Sequence, residues 1–231
     1  MKKKIFGLLL LLTGIICLQS CDNDDTDHFY WDAPYMANAL VTVKPMDTGV
    51  FLQLDDSTML YPVNLQDASY NKEVRALANL SYTTGGQALI ADGLRNVNVN
   101  WIDTIRTKSM AKDMQGQNEA TYGADPLEIV KDWTTVCEDG YLTLRFRTYF
   151  STGNVHRLNL VKGSKPYEVV LYHDAAGDSL NGLKPVQVGD GLIAFRLNDL
   201  PDTEGKTVEL TLRYMSYSGG KNIKFKYRTR N

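Results

Sequence analysis

A period of two runs through most of this chain and restricts its fold more than any other feature. Val50, Leu52 and Leu54 fall on one side of an extended segment, and Gln53 and Asp55 on the other. Val97, Val99 and Trp101 alternate in the same way. Leu142, Leu144, Phe146 and Phe150 oppose Thr143, Arg145, Arg147 and Tyr149, while Ile223, Phe225 and Tyr227 oppose Lys224, Lys226 and Arg228. Successive side chains of a strand point to opposite faces, so this pattern predicts half-buried β-strands. Gly, Asn, Asp and Pro clusters separate the runs and supply turns. No long amphipathic helix and no internal repeat is visible. Val74–Tyr82 is the ambiguous segment, because Val74, Leu77 and Ala78 also fit helical spacing. The expected class is all-β.

The runs divide into two blocks. From about residue 33 to 112, strands are expected at Leu40–Lys44, Val50–Asp55, Thr58–Val63, Val74–Tyr82 and Val97–Arg106, with a hairpin turn at Asp56-Ser57. Five strands in so short a block suit a small OB-like Greek-key barrel. Residues 113–124 lack aliphatic runs beyond Met114 and read as a linker. From Asp125 to Asn231, seven strands are expected, including Leu127–Val136 and Val155–Val161. Turns are expected at Gly153-Asn154, Asp174–Gly177, Glu204-Gly205 and Gly219-Gly220. This spacing predicts an immunoglobulin-like antiparallel β-sandwich.

The first 20 residues do not fit that pattern. Lys2, Lys3 and Lys4 precede an apolar run from Ile5 to Leu18. The run is short for a membrane span, which needs about 20 residues, but suits the core of a secretory signal. Leu18-Gln19-Ser20-Cys21 resembles a bacterial lipobox, with cleavage between Ser20 and Cys21 and a diacylglycerol on the Cys21 thiol. Several acyl chains hold a protein on a bilayer where one would be marginal. Asp22, Asp24, Asp25 and Asp27 follow without a base or hydrophobe, so residues 21–32 read as a solvated tether. Extended, residues 22 to 33 reach at most ~40 Å. Asp22, Asp24 and Asp25 also resemble the acidic export signal of surface-exposed Bacteroidetes lipoproteins. The expected location is the outer membrane, lipid-anchored and exposed at the cell surface. With Cys17 removed and Cys21 lipidated, Cys137 alone remains, so no intramolecular disulfide forms and this thiol reads as a packing residue.

Composition narrows the functional classes. At 43% hydrophobic and 23% charged residues the chain is ordinary globular protein, not disordered, collagenous or coiled-coil. Residues 33–124 carry 7 basic and 9 acidic groups, a poor footing for nucleic acid. Residues 125–231 carry 15 basic and 13 acidic groups, with Lys224, Lys226 and Arg228 on one strand face. Such lysines protect an edge strand from aggregation, or form a stripe for an anionic glycan or partner. Tyr30 and Trp31 lie at the end of the tether, after its acidic run, and either staple it to the barrel or stack on a ligand. His156 and His173 each fall in phase with apolar neighbours, so they are expected near one another at a sheet end, hydrogen-bonding a turn. Asp174 and Asp178 are the nearest acids for a metal, yet the spacing matches no metal motif, and the segment lacks the calcium-loop ligand pattern. Gly219-Gly220-Lys221-Asn222 fails as a phosphate loop because Asn stands where Ser or Thr is needed. No G-x-S-x-G is present. The expectation is a non-enzymatic monomer without cofactor, metal or nucleic acid. It would be held to a membrane by its lipid and bind an unidentified protein or glycan.

Five segments of the second block carry a resemblance. They are Asp125-Pro126-Leu127-Glu128-Ile129, Gly140-Tyr141-Leu142-Thr143-Leu144, Val155 to Val161, Leu171-Tyr172-His173-Asp174 and Phe195 to Pro201. Together they resemble the NigD-like lipoproteins of Bacteroidetes. The resemblance implies an N-terminal OB-like domain, a C-terminal β-sandwich and strand rather than helix at Val74–Tyr82. The family takes its name from a bacteriocin operon in which a member was proposed as an immunity protein, so bacteriocin immunity is one implied role. Surface glycan binding or processing is the alternative. The family supplies no catalytic residues to carry over.

Overall fold

The computed structural model describes residues 37–66, 70–83, 89–91 and 94–230. The strands of the first block are β1 (Ala39–Met46), β2 (Gly49–Gln53), β3 (Met59–Pro62), β4 (Val74–Tyr82), β5 (Leu89–Ala91) and β6 (Leu94–Thr104). They pair in the order β3-β2-β1-β4-β6-β5, and a parallel β3–β6 ladder closes the circle into a five-strand barrel. The β2–β3 turn is tied by Asp55, whose carboxylate accepts from the Ser57 and Thr58 amides. Val74–Tyr82 is a strand, as the family resemblance implies. Its alanines pack inward with Val41, Val43, Leu52 and Leu60, where small side chains suit the narrow bore. Tertiary packing here overrides the helical preference of alanine.

The sandwich begins before the expected linker. β7 (Thr107–Ser109) pairs in parallel with β13 (Gln187–Arg196), and Ala111 bridges Val161 in the opposite sheet. Residues 107–111 thus belong to the sandwich rather than to the barrel block drawn to residue 112. A single-turn helix, α1 (Asn118–Tyr122), follows and sets Tyr122 against Tyr172. The remaining strands are β8 (Glu128–Val130), β9 (Val136–Glu138), β10 (Tyr141–Phe150), β11 (Arg157–Lys162), β12 (Glu168–Asp174), β14 (Val208–Ser216) and β15 (Gly219–Tyr227). One sheet runs β7-β13-β10-β8, with β9 also on β10, and the other runs β11-β12-β14-β15.

Three details differ from expectation. The segment 127–136 forms two strands, because Asp132 accepts the Thr134 amide and hydroxyl and turns the chain between β8 and β9. The sandwich is not purely antiparallel, since β12–β14 and β7–β13 are parallel. The chain leaves β12, crosses to the opposite sheet as β13 and returns as β14, and two reversals restore direction. Gly219 and Gly220 open β15, while Tyr217-Ser218 make the two-residue turn between Ser216 and Gly219.

Leu142, Leu144, Phe146, Leu158, Leu160, Phe195, Leu210, Leu212 and Tyr227 fill the space between the sheets. The outer face of the β10–β13 sheet is also covered. Leu40, Leu77 and Ile105 pack with Leu192 and Ala194 across the domain boundary. Each such aliphatic side chain contributes roughly 1.5–3 kcal/mol on burial. Thr143, expected to face solvent, is buried against Arg75 of the barrel, and Arg145, expected likewise, is buried among Asp132, Thr135 and Asp190 of its own domain.

Candidate functional site

Two polar clusters stand out, one at an end of the sandwich and one between the domains. In the first, β11 and β12 deliver the imidazoles of His156 and His173 to each other, Nδ1 to Nε2, at 2.9 Å. His156 Nε2 lies 3.1 Å from Asp178, on the turn after β12. Asp178 also accepts from the Ser151 amide and hydroxyl, each at 2.6 Å, and from Asn154 Nδ2 at 2.6 Å. Burial raises the Asp178 carboxyl, but the Ser151, His156 and Asn154 bonds outweigh it and hold it at about 2. Burial and the neighbouring His156 ring lower His173 to about 4. His173 Nδ1 lies near the backbone of Asp125 and Pro126 without completing a hydrogen bond. Both rings are 2% exposed.

This geometry fastens one end of the sandwich. The ring nitrogens face each other, so their lone pairs do not converge on an ion. Ser151 Oγ donates to Asp178 rather than to an imidazole, which leaves no activated hydroxyl. Asp174 bends back to accept the Ala176 amide, away from Asp178. Among the described residues no set of three or more His, Cys, Asp and Glu side chains is arranged to hold a metal.

The second cluster surrounds Tyr141 at the start of β10. The guanidiniums of Arg75, Arg196 and Arg230 lie 5.9, 5.7 and 5.5 Å from its ring centre. Its hydroxyl donates to Glu73, and burial with that bond lifts the phenol to about 12. Arg75 comes from barrel strand β4 and is fully buried. It donates to Thr42 at 3.0 Å within the barrel, and to Glu138 at 2.7 Å and Thr143 at 3.3 Å in the sandwich. Asp139 is the counterpart from the sandwich. It accepts two bonds from Arg230, at 2.8 and 2.6 Å, and one from Lys44 of β1 at 3.0 Å. Burial would raise this carboxyl, yet Arg230 and Lys44 keep it below the usual range. Arg230 also reaches Glu73 at 2.7 Å. Beside this clasp a cleft of about 240 Å³ opens between the domains, lined by Lys44, Gln53, Asp56, Asp139, Arg228 and Arg230 among others.

The expected basic stripe separates in the structure. Lys224 and Lys226 lie on the solvent face of β15, where Lys224 pairs with Glu209 at 2.8 Å. Arg228 follows the strand and lines the interdomain cleft instead. Cys137 packs against the sandwich core, and burial raises its thiol far above the ordinary value. Ser20, Cys21, Asp22, Asp24, Asp25, Tyr30 and Trp31 lie outside the described residues. Asp139 was not singled out from sequence, although Asp139-Gly140 is a strong signal for a two-residue hairpin. The structure shows that hairpin, with φ of 49° and 74° at the two positions and Glu138 paired to Tyr141.

A family model described as the NigD-like C-terminal beta sandwich domain matches residues 110–227, and one described as the NigD-like N-terminal OB domain matches residues 40–105. The chain belongs to the NigD-like family. As a NigD-like protein it is similar to a crystal structure designated toxin-related, from Parabacteroides distasonis. That match has 33% identity and a TM-score of 0.69, and covers 82% of this chain and 92% of the other. A NigD-like immunity protein of Bacteroides caccae matches at 20% identity and TM-score 0.58, over 82% of this chain and 96% of the other. A Bacteroides fragilis structure designated a lipoprotein shares the fold at 12% identity and TM-score 0.53, over 84% of this chain and 98% of that one. No curated protein matches the chain.

Proposed function

We propose that this NigD-like protein is a lipid-anchored component of the cell envelope, exposed on the outer membrane, that binds a partner and carries out no chemistry. The observation that carries anchoring is the order Lys2–Lys4, apolar run, Leu18-Gln19-Ser20-Cys21. The designation of the Bacteroides fragilis relative as a lipoprotein supports it. A binding rather than catalytic role is supported by the state of the histidines. His156 and His173 are buried and bonded to each other, and His156 also reaches the Asp178 carboxylate, which is itself tied to Ser151 and Asn154.

Metabolic labelling with an alkynyl fatty acid tests anchoring. The full chain incorporates label, and Cys21→Ser loses it and leaves the membrane fraction. Equal labelling of the variant refutes the assignment. Protease shaving of intact cells degrades a surface-exposed protein, and full protection refutes surface placement. The immunity role follows the Bacteroides caccae relative's designation. Under it, deleting the gene sensitises cells to a co-encoded toxin, and unchanged survival removes that role.

A further inference from the structure

We infer that the cleft between barrel and sandwich, together with the Phe51–Tyr61 pair beside it, binds an acidic oligosaccharide whose sugar residues carry isolated carboxylate or sulfate groups. The inference rests on the binding role proposed above and supplies its ligand class.

Three observations converge. The first is charge. Lys44, Arg228 and Arg230 line the cleft against Asp56 and Asp139. Lys44 and Arg230 are committed to Asp139. Arg228 has no ion pair among the described residues, so one guanidinium fork is left for an anionic group. The second is hydrogen-bonding capacity. Among the described residues Asp56 accepts the Asp139 amide at 2.6 Å through one oxygen, which leaves the other to accept a hydroxyl. A cation and a carboxylate side by side suit a ligand with both an acid group and hydroxyls.

The third is an aromatic platform on the same barrel face. Lys44 lies directly opposite Phe51 in the β1–β2 ladder, so Phe51 adjoins the cleft. Phe51 and Tyr61 are half-buried, with ring centres 5.6 Å apart and planes inclined at 59°. Such rings offer apolar faces to the C–H side of a sugar ring adjacent to the one held in the cleft.

An acidic peptide fits less well. Extended peptides gain much of their affinity by pairing with a free sheet edge. Here β2 lies between β1 and β3, and β3 between β2 and β6, so the closed barrel offers no edge at this face. Nucleic acid carries a charge on every phosphate and calls for a row of cations, whereas this cleft has one to spare.

The test uses the full mature chain on an array of uronate-bearing, sulfated and neutral oligosaccharides, with hexaglutamate as the peptide control, followed by calorimetry on the strongest binder. Acidic oligosaccharides bind and their neutral counterparts do not. Arg228→Gln and Phe51→Ala each weaken binding by about tenfold, the size of one lost charge-assisted hydrogen bond or stacking contact. Arg228 is exposed and has no ion pair among the described residues, so its variant keeps the parent urea midpoint and reads the site directly. Silence toward every acidic glycan, undiminished binding by Arg228→Gln, or equal binding of hexaglutamate overturns the inference. Fatty-acid labelling at Cys21 is read separately, so a silent array leaves the anchoring proposal standing.

Discussion

Replacing Arg75 by Met breaks the domain boundary at its most buried charge. The Met side chain preserves much of the apolar stem and removes the guanidinium. Glu138 loses its partner at 2.7 Å, and the hydroxyls of Thr42 and Thr143 lose theirs. Arg75 is 0% exposed and the Glu138 side chain 20%, so water reaches the abandoned carboxylate only partly. Breaking a buried pair from one side costs about 3–5 kcal/mol, and the partial exposure of Glu138 favours the lower figure. Burial already raises the Glu138 carboxyl against the pull of Arg75. Without Arg75 it rises further, so the folded variant holds a proton that the unfolded chain releases. Stability of the variant therefore falls as pH climbs through that range, and the loss is larger at about pH 8 than at about pH 5. Urea unfolding followed by tryptophan emission measures this, because Trp101 packs in the boundary cluster with Leu40, Leu192 and Ala194. Adding Glu138→Leu recovers part of the loss by removing the stranded charge. A loss below about 1 kcal/mol, the size of one neutral hydrogen bond, refutes the claim that this pair fastens the domains.

Other outcomes follow from the same geometry. His173, held at about 4 against an ordinary value of 6.5, takes up its proton in the unfolded chain first, so stability is full above 6.5 and declines as pH falls toward 4. The decline is on the order of 3 kcal/mol, and proton NMR of the imidazoles checks it, since titration of His173 near its ordinary value contradicts it. Asp178, lowered from 3.8 to about 2, adds a second loss between those values as pH falls further. Gly123→Ala drives a methyl into the His173 carbonyl at a φ of +88° and lowers stability by about 2 kcal/mol or more, measured by urea midpoint. Gly191→Ala presses on the buried Phe146 ring and costs about 1–3 kcal/mol in the same assay. Cys137 is partly buried with a raised thiol, so it reacts slowly with iodoacetamide in the folded state and faster on unfolding, and rapid native labelling contradicts the raised thiol.

The strands were legible because alternation reports which faces are covered. Leu142, Leu144 and Phe146 show the inner face of β10 plainly. Thr143 and Arg145 mislead, because their face looks solvent-directed until the barrel packs on Thr143 and the β8–β9 turn closes over Arg145, and a strand's pattern does not show what distant segments cover. The nearness of His156 and His173 was legible from phase, since His156 precedes Leu158 and Leu160 and His173 follows Val169 and Leu171, but their direct bond was not. The Arg75, Glu73 and Asp139 clasp was not. Its partners come from separate parts of the chain, and charged residues in strands read as exposed until a matching charge is found across the boundary. Arg228 shows the same limit in reverse. It shares the phase of Lys224 and Lys226, but it lies past the end of β15, where it borders the cleft with its guanidinium near Gly205.

Arg230 bonds to Glu73 across 157 positions of chain and to Asp139 across 91. Contacts this distant in sequence form late, because a long loop must close before they give any return. The barrel's own strands are already complete by Thr104. Folding then has a built-in order: the barrel can assemble early, β10 follows with Tyr141, and the clasp closes only once the segment after β15 has been delivered. A chain threaded N-terminus first across a membrane would add the Arg230 bonds only after β15 had emerged, onto domains already in contact through Arg75 and Lys44. Variants of Arg230 should accordingly speed unfolding while leaving the rate of barrel formation nearly unchanged.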